Sequence, residues 1–274
     1  MTAGTLFVDR FVIEGMAGSG GMGTVYRARD TLTGKTVALK VLQVSARDQK
    51  GNLSERFARE AKLLSELQHP NIVSYLVDGQ TPEGIQYLAM EWLEGVDLAE
   101  ALATGPLPLR DCYTVLRLSA SALAAAHQRG IVHRDIKPSN LFLRNRKAEE
   151  VSLIDFGIAR QDSLGQSLTR TGVSIGTPGY MSPEQARGDK DLKPTTDIFS
   201  LGSVMYECLT GQSPFVGENQ GAVLARVLFD EAPAVRTIRP GVPVELEELV
   251  SRMLSKDVAS RPSDAGELCE MLRH

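Results

Sequence analysis

Hydrophobic and polar residues follow two different periods along the chain, and the period changes near Glu94. Upstream, short runs alternate with the two-residue period of β-strands, and turn sequences such as DTLTGK and TPEG separate them. The strand-like runs are FVIEGMA, GTVYRARD, KTVALKVLQ, IVSYLVDG and IQYLAMEWL. They predict a small antiparallel sheet, interrupted by one helix over residues 53–67.

Helical periodicity takes over after Gly95. The clearest amphipathic segment is LRDCYTVLRLSASALAAAHQRG, whereas DIFSLGSVMYECLTG is mostly apolar, as is typical of a helix buried on nearly all sides. No internal repeat or low-complexity tract separates the two parts of the chain. The pattern therefore predicts an α+β fold, with a small β-rich lobe followed by a larger, mainly helical lobe.

Composition narrows the classes of function. The 274 residues include 42% hydrophobic and 23% charged residues, which is ordinary for a globular protein, and the net charge of -4 does not favour nucleic-acid binding. Cys112, Cys208 and Cys269 lie far apart in sequence, so free thiols in a reducing compartment are favoured over a disulfide or a metal site. No apolar run approaches the roughly 20 residues that span a bilayer, and a cytosolic location is expected.

The glycine-rich stretch EGMAGSGGMGTVY occupies residues 14–26. Gly18, Gly20 and Gly23 fit G-x-G-x-x-G, a pattern that two unrelated nucleotide-binding devices share. The dinucleotide-binding device needs these glycines to open a helix, but here the next residues, 25–29, alternate as a strand. The pattern therefore favours a β-hairpin tip that covers phosphates with backbone N–H groups, and it disfavours a dehydrogenase.

A lysine and a glutamate form a candidate buried pair. Lys40 ends the strand-like run VALK, and Glu60 falls on the same helical face as Phe57 and Leu64. Burying a carboxylate is costly unless it is paired, so Glu60 needs a cation, for which Lys40 is the candidate. From the residues alone, a tilted helix that leaves Glu60 in solvent is an equal alternative.

Two further motifs carry the strongest chemical signal: HRDIKPSNLFL over residues 133–143 and LIDFGIA over residues 153–159. Asn140 and Asp155 offer oxygen ligands that can hold magnesium on the phosphates of a nucleotide. Asp135 can then accept a hydroxyl proton, and Lys137 can neutralise charge on the transferring phosphate. Together with the glycine-rich hairpin, these motifs indicate phosphoryl transfer.

With these motifs the chain resembles a eukaryotic-type (Hanks-type) protein kinase catalytic domain. The segments GSGGMGTVYRARD, HPNIV, GTPGYMSPEQARG and SRPSDA are most similar to the bacterial serine/threonine kinases of that family. The resemblance covers residues 11–272. It implies the two-lobed protein kinase fold, with the β-rich lobe over residues 11–93, the helical lobe over residues 94–272, and ATP in the cleft between the lobes.

The resemblance also implies the ATP contacts. AMEWL would be the hinge, where Met90 gates the pocket and the backbone of Glu91 and Leu93 binds adenine. Lys40 would hold the α- and β-phosphates while paired with Glu60, which resolves the alternative above in favour of pairing. The remaining implied contacts are Ala17, Gly18, Ser19, Gly20, Gly21, Met22 and Gly23 of the glycine-rich hairpin, Val25, Ala38 and Phe142 against the ring, and Asp97 near the ribose.

Other residues are implied to be structural anchors. His133 would pack under the Asp-Phe-Gly turn, which leaves Asp135 as the base. Asp197 would open the buried helix and anchor the catalytic loop, and His69 and His127 are expected to serve packing or capping. The remaining anchors are Arg134, Thr177, which would hydrogen-bond near the catalytic loop, and Glu184 with Arg261, which would form a buried ion pair.

The segment DIKPSN, with Lys137 two residues after Asp135, is the serine/threonine pattern. The implied function is transfer of the γ-phosphate of ATP to Ser/Thr hydroxyls of proteins, with Mg²⁺ as the metal and Mn²⁺ as an alternative. The expected partners are ATP, protein substrates and a second copy of the chain in a transient homodimer, without nucleic acid or membrane contact. A pseudokinase is the alternative, but Lys40, Asn140 and Asp155 are present beside Asp135, which favours an active enzyme.

Three residues depart from the family pattern. Ala17 stands where a larger aliphatic residue is common, Phe142 is bulkier than the usual pocket-floor residue, and Phe199 replaces a tyrosine or tryptophan. None of them removes a catalytic group. Bacterial relatives often continue into a membrane helix or other modules, so a cytosolic domain of a longer protein is also an expectation.

Regulation is predicted from Arg134, whose charge lies beside the catalytic aspartate and needs an anion. No acidic residue stands between Ser163 and Glu184. A phosphate supplies roughly -1.5 to -2 charge and three acceptor oxygens. The segment LTRTG therefore leads us to expect phosphorylation of Thr169 and Thr171 by the enzyme itself, acting between molecules; an unmodified loop is the alternative.

Overall fold

A computed structural model describes residues 1–20, 23–42, 63–156 and 178–273. The chain divides into two compact units. One consists of Met1–Gln68 and Ile72–Glu94, and the other of His69–Asn71 and Gly95–His274. The first unit thus ends where the period of the hydrophobic residues changes, and three upstream residues belong to the second unit.

The first unit contains a six-stranded sheet. Its strands are β1 (Leu6–Phe7), β2 (Phe11–Gly20), β3 (Gly23–Asp30), β4 (Thr36–Leu42), β5 (Tyr75–Gln80) and β6 (Gln86–Glu91). They lie in the order β1-β2-β3-β4-β6-β5, and each neighbouring pair is antiparallel, which confirms the predicted sheet type. The run GTVYRARD forms β3 from end to end. The run predicted over residues 72–79 becomes a strand only from Tyr75.

The sheet buries one face in a compact apolar core. Its members are Phe11, Ile13, Tyr26, Ala28, Val37, Leu39 and Ala89. Because strand side chains alternate between faces, the residues between these positions in β3 and β4 point to the other face. The predicted helix over residues 53–67 lies mostly outside the described residues, and residues 63–65 are helical.

The second unit is mainly helical. A three-stranded sheet, ordered β7-β8-β9, is formed by Gly95–Asp97, Leu141–Arg144 and Val151–Leu153. The helices are α1 (Leu98–Leu102), α2 (Leu109–His127), α3 (Pro183–Arg187), α4 (Pro194–Thr210), α5 (Gln220–Phe229), α6 (Val235–Ile238), α7 (Val244–Met253) and α8 (Ala265–Met271). Across the described ranges, none of the helices has the length and apolar character that a membrane span requires.

Helix α4 is the centre of the second unit. Of its 17 residues, 14 are buried, which confirms the prediction of a helix buried on nearly all sides. It begins at Pro194 rather than at Asp197, because proline fits the first helical turn, where no N–H partner is needed. Asp197 therefore lies in the first turn instead of opening the helix. Gly211, with φ of 79°, ends the helix in the left-handed conformation that glycine adopts without strain.

A buried ion pair joins α3 to the segment after α7. Arg261 donates from both terminal nitrogens to the carboxylate of Glu184, at 2.8 and 3.1 Å. Thr196 adds a hydroxyl donor to the same carboxylate at 2.9 Å. Burial raises the pKa of Glu184, but the hydrogen bonds and charge of Arg261 outweigh it and hold the pKa below its usual value.

We predict that Arg261→Met lowers the free energy of unfolding by about 3–5 kcal/mol, because it leaves the Glu184 carboxylate buried without its cation. Arg273→Met, which removes one member of an exposed pair, is the matched control and should change stability by less than about 1 kcal/mol. Urea denaturation at neutral pH measures both values. Equal midpoints for Arg261→Met and the wild type would contradict the structural role of the pair.

Candidate active site

The loop that carries HRDIKPSN runs from the end of α2 to β8, and one carboxylate fixes its start. Asp197 Oδ2 accepts the backbone N–H of His133 at 2.7 Å, and Oδ1 accepts the N–H of Arg134 at 2.8 Å. Arg134 has φ of 65°, a left-handed conformation that is rare for a long side chain. Two consecutive peptide groups are therefore held immediately before Asp135.

The same carboxylate has a third donor. His127 Nε2 lies 2.9 Å from Asp197 Oδ2, and His127 Nδ1 accepts the backbone N–H of Ala265 at 3.2 Å. Because Nδ1 is an acceptor, Nε2 carries the proton and donates it to Asp197. The ring therefore links α2, which carries His127, to α4 and α8. Burial raises the pKa of Asp197, but the hydrogen bond from His127 and the backbone donors outweigh it, so the pKa lies below its usual value.

His133 is completely buried and packs against Phe156. Its ring centroid is 4.4 Å from that of Phe156, and its Nε2 lies 3.1 Å from the carbonyl oxygen of Ile154. Its Nδ1 accepts the N–H of Asp135 at 3.3 Å. Burial lowers the pKa of His133, which agrees with a neutral ring that donates at one nitrogen and accepts at the other.

Asp135 lies at the centre of a small group of polar side chains. Lys137 Nζ is 3.1 Å from Asp135 Oδ2. Asn140 Nδ2 donates to the backbone oxygen of Asp135 at 2.7 Å and to its Oδ2 at 3.1 Å. An acceptor, a cation and an amide thus converge within six residues of one loop, and the Asn140 amide fixes the orientation of the carboxylate.

The short sheet brings Asn140 and Asp155 to neighbouring positions. Leu141 of β8 pairs with Leu153 of β9, and the N–H of Ile154 continues the ladder to the carbonyl oxygen of Asn140 at 3.0 Å. Asp155 follows directly, with φ of 55°. Since the Asn140 amide nitrogen is held on Asp135, its oxygen is the atom left to act as a ligand. An amide and a carboxylate oxygen form a donor set that suits Mg²⁺.

A shallow depression adjoins Asp135 and Lys137, and Tyr180 and Met181 form part of its wall. The Tyr180 hydroxyl donates to the carboxylate of Glu207, and burial, together with this contact, raises the pKa of Tyr180. Gln185 Nε2 donates to the carbonyl oxygen of Arg134 at 2.8 Å. The segment after Pro178 is thus tied both to α4 and to the loop that carries Asp135.

In the first unit, β2 and β3 form the glycine-rich hairpin, whose last described pair is Gly20 with Gly23. This confirms that the glycines lie at a hairpin rather than at a helix start. The strand register brings four of the predicted ATP-contacting residues next to one another. Val25 is paired with Lys40, and Ala38 is paired with Met90. These four side chains share the face opposite to the apolar core.

Several predicted residues have other contacts, or lie outside the described ranges. The Glu91 side chain accepts the N–H of Ser74 at 2.8 Å, and Asp97 accepts the N–H of Glu100 at 2.8 Å, which caps α1. Asp97 also lies opposite Phe142 in the β7–β8 ladder. Ala17, Gly18 and Ser19 lie in β2, and Leu93 follows β6. Gly21, Met22, Glu60, Thr169, Thr171 and Thr177 lie outside the described residues.

Two positioning contacts go beyond the sequence prediction. His127 was expected to serve packing or capping, but its link to Asp197 spans 70 residues, and no local pattern signals such a contact. Gln185 follows Ser182 by three residues, so the capping box at the start of α3 could be read from the sequence, but its hydrogen bond to Arg134, across 51 residues, could not. His69 forms local and long-range contacts in its loop, since its Nδ1 accepts the N–H of Asn71 at 3.1 Å and its Nε2 lies 3.2 Å from Ser121 Oγ.

The family model described as the protein kinase domain matches residues 11–274. Serine/threonine-protein kinase pkn3 of Myxococcus xanthus is 39% identical over 96% of this chain and 49% of its own length. Serine/threonine-protein kinase PrkC of Bacillus subtilis is 37% identical over 98% of this chain and 41% of its own length. This chain therefore spans less than half of these curated relatives. The crystal structure of the Mycobacterium tuberculosis PknI kinase domain aligns with a TM-score of 0.77 at 26% identity, covering 100% of this chain and 98% of that one.

The neutral state of His133 predicts a pH dependence of stability. Because its pKa is lowered in the folded chain, the unfolded chain binds one more proton as the pH falls below about 6.5. Stability should therefore fall over that range, and His133→Gln should remove up to about 1.4 kcal/mol per pH unit of this slope. Urea denaturation between pH 5 and pH 7 measures the slope, and His69→Gln shows separately how much of it comes from the partly buried His69, whose pKa burial also lowers. An unchanged slope in His133→Gln would contradict a neutral buried ring.

Proposed function

This chain belongs to the protein kinase family, and we propose that it is an active serine/threonine kinase that transfers the γ-phosphate of ATP to protein hydroxyls. The observation that carries the proposal is the group around Asp135, whose carboxylate lies 3.1 Å from Lys137 Nζ and 3.1 Å from Asn140 Nδ2. The family uses ATP and a divalent metal ion. The names of both relatives support the serine/threonine class.

Asp135 is the proposed proton acceptor. The proton of a substrate Ser or Thr hydroxyl would pass to its carboxylate as the hydroxyl oxygen attacks the γ-phosphate. The hydrogen bond from Asn140 holds the carboxylate in one orientation, which favours a fixed path for the proton. Lys137 would neutralise charge that develops on the transferring phosphoryl group, since its ammonium already lies beside the acceptor.

Asn140 and Asp155 are the proposed ligands of Mg²⁺, or alternatively of Mn²⁺. Their positions at the joined ends of β8 and β9 support this assignment, as does the orientation of the Asn140 amide. When bound, the ion would neutralise charge on the nucleotide phosphates. Lys40, paired with Glu60, is proposed to hold the α- and β-phosphates, beneath the backbone N–H groups of the glycine-rich hairpin.

Adenine is proposed to bind against the sheet face that carries Val25 and Ala38, with Met90 as the gate. The register supports this set, because Ala38 lies directly opposite Met90. Glu91 and Leu93 would supply backbone hydrogen bonds. The other proposed contacts are Phe142 and Asp97, together with residues 17–23 of the glycine-rich hairpin.

Phosphorylation of Thr169 and Thr171 is the proposed means of activation, through the charge of Arg134. Two copies of the chain would meet transiently for this reaction. The position of Arg134, fixed by Asp197 next to the proton acceptor, supports a link between loop charge and activity.

Purified chain, radiolabelled ATP, Mg²⁺ and a generic basic protein acceptor test the proposal. We predict that Asp135→Asn keeps its thermal stability and its binding of a fluorescent ATP analogue but loses phosphotransfer by about 10²-fold or more, because the proton acceptor is gone. Asp191→Asn, which alters an exposed carboxylate, is the matched control and should keep wild-type turnover.

Two outcomes would contradict the proposal in different ways. Wild-type turnover in Asp135→Asn would show that another group accepts the proton. A wild-type chain that binds ATP but transfers no phosphate to any acceptor would instead favour a pseudokinase, which keeps the fold and the ligand without the chemistry.

A further inference from the structure

Arg27 lies in β3, on the sheet face that carries the proposed adenine contacts. It is paired with Ala38 of β4, and Ala38 is paired with Met90 of β6, so the three residues form one row across the sheet. Residues that lie directly opposite each other in antiparallel strands project from the same face. The row that contains the proposed gate residue therefore reaches the glycine-rich hairpin at Arg27.

The side chain of Arg27 connects this hairpin to the segment that follows β6. Its guanidinium carbon lies over the ring of Trp92, 5.2 Å from the ring centroid, which is within the range of a cation–π contact. Its Nε lies 3.1 Å from Glu14 Oε2, on the neighbouring strand β2. The carboxylate and the indole ring thus both hold the guanidinium, and Arg27 joins two strands of the hairpin to Trp92.

Trp92 stands between the two residues whose backbone is proposed to bind adenine, Glu91 and Leu93. Glu91 ends β6, and Ser74 holds it twice: the Glu91 N–H donates to the Ser74 carbonyl oxygen at 2.9 Å, and the Glu91 carboxylate accepts the Ser74 N–H at 2.8 Å. After Glu91 the chain leaves the strand, and the Trp92 Nε1 donates to Glu94 Oε1 at 2.7 Å. Side-chain contacts of Trp92 therefore take over where the strand ends.

We propose that Arg27 is a positioning residue for adenine binding, a role that rests on the proposed ATP site. The guanidinium holds the indole ring, and the ring holds the backbone of Trp92, so that the backbone groups of Glu91 and Leu93 keep one arrangement. A segment that is already ordered loses less conformational freedom when the base binds. Because Arg27 acts through Trp92, its loss should weaken binding of the base and leave the chemical step unchanged.

The fluorescence of Trp92 reports this contact directly, because it is the one tryptophan of the chain. In folded Arg27→Gln, acrylamide should quench the emission more strongly than in the wild type, since the guanidinium no longer covers the ring. Arg27→Lys keeps a cation and should restore part of the protection. Arg29→Gln, which removes an exposed positive charge two residues along the same strand, is the matched control and should behave as the wild type.

Titration with adenosine, and separately with ATP and Mg²⁺, measures the effect on the base. In Arg27→Gln both Kd values should rise about two- to fivefold, the size expected for the loss of an exposed cation–π contact. Adenosine carries no phosphate, so an equal rise for the two ligands locates the effect at the base. In the phosphotransfer assay the KM for ATP should rise by the same factor at unchanged kcat, as expected for a contact that serves binding alone. Arg29→Gln should leave all these values unchanged.

The outcomes separate this inference from the proposed function. Wild-type Kd values in Arg27→Gln would overturn the inference alone, as would a rise for ATP without a rise for adenosine, which indicates an effect of charge on the phosphates. If Arg27→Gln does not fold, Glu14→Gln replaces it: loss of the carboxylate that holds the guanidinium should raise both Kd values, and unchanged values would overturn the inference. A wild-type chain that binds neither ligand would overturn the proposed ATP site together with the inference.

Discussion

The buried carboxylate of Asp197 is the interaction on which the candidate site depends. It is fully buried, and it accepts the N–H groups of His133 and Arg134 together with the Nε2 of His127. These three donors offset much of the cost of burying the carboxylate. Since it projects from α4, the most buried helix, the loop with Asp135 is held by the core. The hydrogen bond to Asp197 helps to hold the backbone of Arg134 in its left-handed conformation.

The sequence pattern predicted the strands and helices in which buried and exposed residues follow a regular period. The two-residue period gave β3 from end to end, and helical periodicity gave α2 from Leu109. The run over residues 72–79 forms a strand only from Tyr75. The residues just before this run, His69–Asn71, belong to the second unit. There Asn71 accepts the N–H of Leu153 at 2.8 Å and donates to the carbonyl of Val151 at 2.7 Å. A contact across 80 residues leaves no local signal, and the same holds for His127.

Two cations lie over the buried ring of Phe199 in the helical unit. Phe199, which departs from the family pattern, has Arg261 on its ring at 4.9 Å and Lys256 at 5.2 Å. The two cations differ in their hydrogen-bond partners among the described residues: Arg261 donates to the Glu184 carboxylate, and Lys256 donates to the carbonyl oxygen of Val227. Arg261 therefore forms a buried charge pair, whereas the amine of Lys256 holds the carboxyl end of α5. The identity of Phe199 could be read from the sequence, but its neighbours could not.

Amide hydrogen exchange in Asp197→Asn tests most directly whether this one carboxylate fixes the catalytic loop. The amide side chain cannot accept all three donors, so the N–H groups of His133 and Arg134 should exchange on the order of tenfold faster or more than in the wild type. Exchange in α7 should stay unchanged, which shows that the helical unit remains folded, and phosphotransfer should fall in parallel. Wild-type protection of both amides, or faster exchange throughout α7 as well, would contradict the account.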